Sequence, residues 1–224
     1  VNAYVAHLAE KRYPEISKYK DDRLNGGEKR QLLKDTGALF LTKVGHVALN
    51  GTDNIIISAV VGVLWVGRLS NYTLICDSVT SVLCQITAAI TGSLGNFFAT
   101  EDKHAGYALF KKVEFLNFWL YGFSFIALVT LLDPFVQIWA GERFVLGLPI
   151  SIAIAINFFV AGYMNTLWVF RSTIGLFKQG KFRPILVAIL NIILSIFLGK
   201  LWGVFGVLFA TFLSRAAISL WYDP

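Results

Sequence analysis

The chain has 224 residues, 56% of them hydrophobic and 15% charged, and a mean hydropathy of +0.63. A soluble domain carries about 25% charged residues, so the composition excludes an ordinary water-soluble globule and points to lipid as the solvent. Twenty Lys and Arg against fourteen Asp and Glu leave a net charge of +6, whose meaning depends on where along the chain the cations fall.

Residues 1–36 are polar and read as a cytoplasmic segment, with Tyr13-Pro14 ending a short helical stretch and Asn25-Gly26-Gly27 marking a turn. They contain no short apolar core followed by a cleavage site. Six apolar segments follow, at 37–64, 69–98, 115–140, 147–174, 184–200 and 203–222. Each is close to or above the ~20 residues that cross ~30 Å of hydrocarbon. The separators are short: Gly67-Arg68, the polar stretch from Thr100 to Glu114, Gly141-Glu142-Arg143, the stretch from Phe177 to Pro184, and Lys200 to Gly203. Short connections favour antiparallel neighbours, and the segments lack the alternation of barrel strands. The expected fold class is all-α, a polytopic membrane bundle of six transmembrane helices over 37–222. The chain opens on Val1, has Met164 as its one methionine and closes at Asp223-Pro224 straight after an apolar run, which reads as a piece of a longer membrane protein.

Orientation follows from the cations. Residues 1–36 with Lys103, Lys111, Lys112, Lys178, Lys181 and Arg183 place fourteen on one side; Arg68, Arg143 and Lys200 place three on the other. The positive-inside rule puts the first group, and both ends of the chain, in the cytoplasm. The charge therefore reflects topology and indicates no nucleic-acid partner. Cys76 and Cys84, eight residues apart, would lie ~12 Å apart on one helix, too far for a disulfide. Asn71-Tyr72-Thr73 matches a glycosylation sequon but reads more simply as a polar cluster at a helix end.

Lys43, His46, Asn50, Asp53 and Asn54 fall on one face of the first span, within an arc of ~100° and over about 16 Å. Charges there are costly unless they face protein or water. Two readings stand: an internal network that only fixes helix packing, with Lys43 snorkelling at the boundary, or part of a solute pathway. In the second, Asp53 is the ion-coupling candidate, for a proton or a sodium ion, with His46 as a relay. Arg171 and Arg215 are the other intramembrane cations, read either as interfacial anchors or as anion-binding groups facing the same cavity. Asn157 and Asn165 share broadly the side of Arg171, and Asp77, Ser81 and Gln85 form a milder stripe on the second span. Asp133-Pro134 reads as a helix cap or bend. The histidines, His7, His46 and His104, lie in different segments, and no P-loop, HExxH or dinucleotide motif is present. The sequence thus indicates no enzyme, no cofactor and no metal.

Several stretches in a fixed order carry a resemblance. They are Lys11-Arg12-Tyr13-Pro14, Thr52 to Ser58, Val66 to Tyr72, Gly92-Ser93-Leu94-Gly95-Asn96, Pro134 to Gly141, Phe170-Arg171 before Gly175-Leu176-Phe177, Phe182-Arg183-Pro184-Ile185, and Asn191. With these the chain resembles the Wzx-type oligosaccharide flippases of the multidrug/oligosaccharidyl-lipid/polysaccharide exporter superfamily over essentially its whole length. Arg68-Leu69 departs from the family pattern, which usually has a Tyr before Ser-Asn-Tyr. The resemblance implies two six-helix lobes around a cavity, this chain being the C-terminal lobe of a MATE-like fold with the N-terminal lobe as its partner. It implies movement of undecaprenyl-diphosphate-linked oligosaccharide across the bacterial cytoplasmic membrane for capsule, O-antigen or exopolysaccharide synthesis, alongside membrane lipids and polysaccharide polymerase and chain-length proteins. Lys43, His46, Asn50, Arg171 and Arg215 would contact the headgroup. A cation-coupled multidrug exporter of the same superfamily, or a non-transporting membrane scaffold, are the alternatives.

Overall fold

The computed structural model of the chain describes residues 11–13, 25–100, 103–174 and 182–220. It divides into two compact units, Val1–Gly37 and Ala38–Pro224. Among the described residues there are five long helices and no strand: α1 Gly26–Val60, α2 Val63–Thr100, α3 Lys103–Trp139, α4 Leu148–Thr173 and α5 Arg183–Arg215. A 3-10 turn, Glu142–Phe144, lies between α3 and α4, and a π-helical turn, Ala216–Leu220, follows α5. Four stretches are long and apolar enough to cross a membrane: Val63–Ala89, His104–Trp139, Leu148–Thr173 and Arg183–Ile218.

In the first unit α1 starts earlier than the apolar pattern suggests. Glu28, three residues after Asn25, accepts the Asn25 N–H at 3.0 Å, half of a capping box. Gln31 then donates to Asp35 one turn on, at 2.9 Å. The polar residues from Gly26 are therefore already helical. The same holds for α3, which begins at Lys103 and takes in most of the expected polar separator.

The second unit holds the bundle. Its first reversal is at Val61-Gly62 and not at Gly67-Arg68. Gly62 has φ +124°, and the N–H groups of Val61 and Gly62 both reach the Ile57 carbonyl at 2.9 Å. Only glycine adopts that backbone freely. Gly67 and Arg68 continue α2, where the Arg68 guanidinium lies 5.3 Å from the Trp65 ring centroid. A single helical glycine costs about 1 kcal/mol, too little to break a long apolar helix.

The helix α5 is two arms. Gly203 has φ 62° and ψ −138°, outside helical values. Asn191 and Thr211 are hydrogen-bonded at 2.8 Å, although twenty residues of straight helix would separate them by ~30 Å. Leu198 meets Gly206, and Val187 and Ala188 pack with Ile218. Partners recede from Gly203 in step, so the arms run antiparallel, and the reversal matches the separator expected at Lys200 to Gly203.

Helix α4 is the centre of the unit. Half of its apolar stretch is buried, against 17% for α2 and 22% for α3. The main core joins Ile56 and Ile57 of α1, Leu69 and Tyr72 of α2, Tyr121, Leu132 and Val136 of α3, Ala155 and Phe158 of α4, and Val207 of α5. Outward-facing side chains stay large and apolar, including Phe118, Trp119, Phe123 and Ile126 on α3. A contiguous face of that kind is suited to lipid and not to water. Both cysteines are free.

At Gly45, α1 comes close to the start of α5. A Cβ there would lie 2.6 Å from the Pro184 Cβ and 2.8 Å from its carbonyl carbon, so the two backbones touch. Gly45→Val is expected to cost about 2–3 kcal/mol. Thermal unfolding of the detergent-solubilised protein should show it as a lower Tm, while Gly51→Ala, with open space at its Cβ, should leave Tm near wild type.

Candidate functional site

Three helices bring polar groups together where the core would otherwise be apolar. Asp53 of α1 accepts the Thr211 hydroxyl at its Oδ2, at 2.7 Å. Thr211 sits on the second arm of α5, about 12 Å along the helix from Gly203, and is itself buried. Its oxygen accepts from Asn191 Nδ2 on the first arm at 2.8 Å. The Val207 carbonyl lies 3.2 Å from the same hydroxyl; with one proton to give, Thr211 makes its shorter bond to the carboxylate. The pairing thus ties α1 to both arms of α5 at one level.

Helix α4 joins through Asn157. Its Nδ2 donates to the Leu208 carbonyl at 2.8 Å and to the Ala153 carbonyl at 3.0 Å. Arg215 Nη1 donates to the Asn157 backbone carbonyl at 3.3 Å. Arg215 is one turn beyond Thr211, and side chains four apart share a helix face. Since Thr211 touches Asp53, the guanidinium stands beside that carboxylate, and the two charges attract each other.

Four polar atoms of this region are buried with no hydrogen-bond partner: Asp53 Oδ1, Asn191 Oδ1, Asn157 Oδ1 and Ser195 Oγ. Ser195 is one turn from Asn191 on the first arm. Leaving a buried acceptor unpaired costs about 1–3 kcal/mol, and such atoms are few in native structures. Three of the four can only accept, so what they suit is a donor or a cation. Among the described residues no group of three or more His, Cys, Asp or Glu side chains converges, so the chemistry here is one carboxylate among neutral oxygens.

The sequence-derived candidates separate in space. Asp53 and Arg215 come together. Lys43 is exposed on α1. Arg171 lies fourteen residues beyond Asn157 on α4, about 21 Å along the axis, and half-buried; it belongs to a different level. The side chains of His46 and Asn50 lie outside the described residues. Asn165 donates to Cys84 Sγ at 3.9 Å. The stripe expected on α2 is exposed: Asp77, Ser81 and Gln85 all face away from the bundle, with Ser81 Oγ returned to the Asp77 carbonyl at 2.8 Å.

Thr211 and Ser195 carried no role in the sequence reading, and Asn191 entered it only through the resemblance. The usable signal was the spacing of Asn191 with Ser195 and of Thr211 with Arg215, two polar pairs four apart in otherwise apolar arms.

A second network lies near the α3–α4 connection. Asp133 Oδ1 accepts Tyr72 Oη at 2.6 Å and Ser151 Oγ at 2.7 Å. Tyr72 Oη in turn accepts the Leu146 N–H at 2.9 Å. Tyr72 and Ser151 are fully buried. Asp133 is therefore a hub between α2, α3 and α4, a role its position next to Pro134 did not reveal.

No protein-family model, no curated protein and no solved structure matches the chain.

Proposed function

We propose that the chain is the C-terminal lobe of a lipid-linked oligosaccharide flippase. It would act with an N-terminal lobe in the bacterial cytoplasmic membrane, with both ends of this segment cytoplasmic. In this reading α1 to α4 and the two arms of α5 are six spans, and an undecaprenyl-diphosphate-linked repeat unit is the cargo. The observation that carries it is the exposed polar face of α2. Asp77, Ser81 and Gln85 lie within a membrane-length apolar helix, and Asn54 and Ser58 are exposed on α1, which joins α2 through two residues. Hydrocarbon does not tolerate such a face. A water-filled cavity shared with a second lobe does, and a sugar headgroup needs that environment to cross.

The cations Lys43, Arg171 and Arg215 supply attraction for a diphosphate, and rocking of the lobes alternates access. Asp53, tied to α5 through Thr211, is the carboxylate that couples the cycle to an ion. The test is a leaflet-exposure assay with the complete protein in liposomes, using a fluorescent undecaprenyl-diphosphate oligosaccharide and an impermeant quencher. Protein-dependent loss of the protected signal is expected. Asp53→Ala should slow it at least about tenfold, equivalent to about 1.4 kcal/mol in the barrier, with Lys43→Ala and Arg171→Ala also slower. Gradient-driven movement of a cationic dye without lipid movement would instead favour a multidrug exporter, and neither activity would favour a scaffold.

A further inference from the structure

The outward polar groups of α2 share one face. Ser70, Asp77, Ser78, Ser81 and Gln85 are all exposed, and they fall within an arc of ~100° over about 22 Å of helix. The three serines spend their only proton on their own helix: Ser70 Oγ donates to the Gly67 carbonyl at 2.7 Å, Ser78 Oγ to the Leu74 carbonyl at 2.8 Å and Ser81 Oγ to the Asp77 carbonyl at 2.8 Å. What they leave to the outside is lone pairs. The Asp77 carboxylate only accepts as well, so of these five side chains Gln85 alone still has protons to give. No cation of α2 shares the face. Arg68, the one Lys or Arg of this helix, lies about 130° round from the centre of the stripe, with its guanidinium over the Trp65 ring.

A wall of acceptors with one negative charge is complementary to groups that bring protons. Sugar hydroxyls do so, and the ammonium of an amino sugar adds a favourable charge. A sugar carboxylate brings neither. Asp77 sits near the middle of the membrane-length stretch Val63–Ala89, where a like charge is screened less than in bulk water. We propose that this face of α2 contacts the sugar part of the cargo, and that Asp77 makes it select neutral or amino sugars over acidic ones. The diphosphate is attracted elsewhere, by the cations, so the two parts of one headgroup are recognised by opposite chemistry. The inference rests on the flippase reading and adds to it the class of repeat unit carried.

The experiment is leaflet exposure with the complete protein in liposomes and two fluorescent undecaprenyl-diphosphate trisaccharides that differ in one sugar, a glucose or a glucuronic acid. Wild type is expected to move the neutral cargo at least about tenfold faster, the effect of one like-charge contact at short range. Asp77→Asn keeps the shape without the charge and should bring the two rates to within about threefold of each other. Asp77→Lys should favour the acidic cargo. Asp77 is exposed, and Ser81 is bonded to its backbone carbonyl and not to its carboxylate, so both variants should keep the wild-type Tm. Equal wild-type rates for the two cargoes, or a preference unchanged in Asp77→Asn, would overturn the proposal. So would an equal slowing of both cargoes by that change, the mark of a merely structural residue. Those outcomes all leave lipid movement in place. Movement of neither cargo by wild type would instead remove the flippase reading, and this inference with it.

Discussion

Gly206→Ala is expected to destabilise the bundle strongly, by about 3 kcal/mol. The new Cβ would fall inside contact distance of the Leu198 carbonyl, and next to the Gly199 nitrogen at 3.1 Å. Both are backbone atoms of the opposing arm, so no side chain can rotate away. Relief requires the arms of α5 to separate, which weakens the Asn191 to Thr211 bond as well as the packing of Val207 against Gly199. Tm of the solubilised protein should fall clearly. Gly67→Ala is the matched control: it adds the same methyl inside α2 with nothing within 4 Å, and Tm should be unchanged or slightly higher, since alanine is the better helix former. Equal effects of the two changes would show that the arms are not in backbone contact.

Asp133→Ala should have the second large effect. Removing the carboxylate leaves the Tyr72 and Ser151 hydroxyls without their acceptor, both on fully buried residues. Hydrogen bonds to a charged group are worth about 1.5–3 kcal/mol each, and losing the shared acceptor should cost roughly 3–5 kcal/mol. Asp133→Asn keeps the shape and one acceptor oxygen, so its cost should be much smaller. Tyr72→Phe removes one bond to Asp133 and strips the Leu146 N–H of its partner; its cost should fall between the two. A double-mutant cycle of Tyr72→Phe with Asp133→Asn, followed by Tm, should show strong coupling. Additive effects would mean that the three residues do not act as one network.

Much of the helical bundle was legible because lipid imposes a simple rule: long apolar runs, polar breaks. The reversal at Gly203 was marked by Lys200 and by glycine within four residues. The first reversal was misplaced by a few residues because Gly67-Arg68 looks like a break, whereas the decisive feature is the positive φ of Gly62, which hydropathy does not encode. The site was legible in half. A carboxylate and a guanidinium among otherwise apolar stretches announce themselves by their cost. Thr211 does not, since a threonine can return its hydroxyl to its own helix, as Thr42 and Thr52 do here. That it turns instead to Asp53, 158 residues away, is a tertiary fact. Asp133 was hidden in the same way: beside a proline it reads as local punctuation, while its partners lie on two other helices.

The distance along the chain between Asp53 and Thr211 also bears on how the molecule is made. At roughly 5–20 residues per second, about 8–30 seconds of synthesis separate the emergence of the carboxylate from that of its partner. During that interval α1 carries an acid with nothing from α5 to accept it, and α1 is not among the stretches apolar enough to qualify as a span on their own. The contact that buries this carboxylate therefore waits for the last hairpin, so the end of α5 completes the packing of a residue near the beginning.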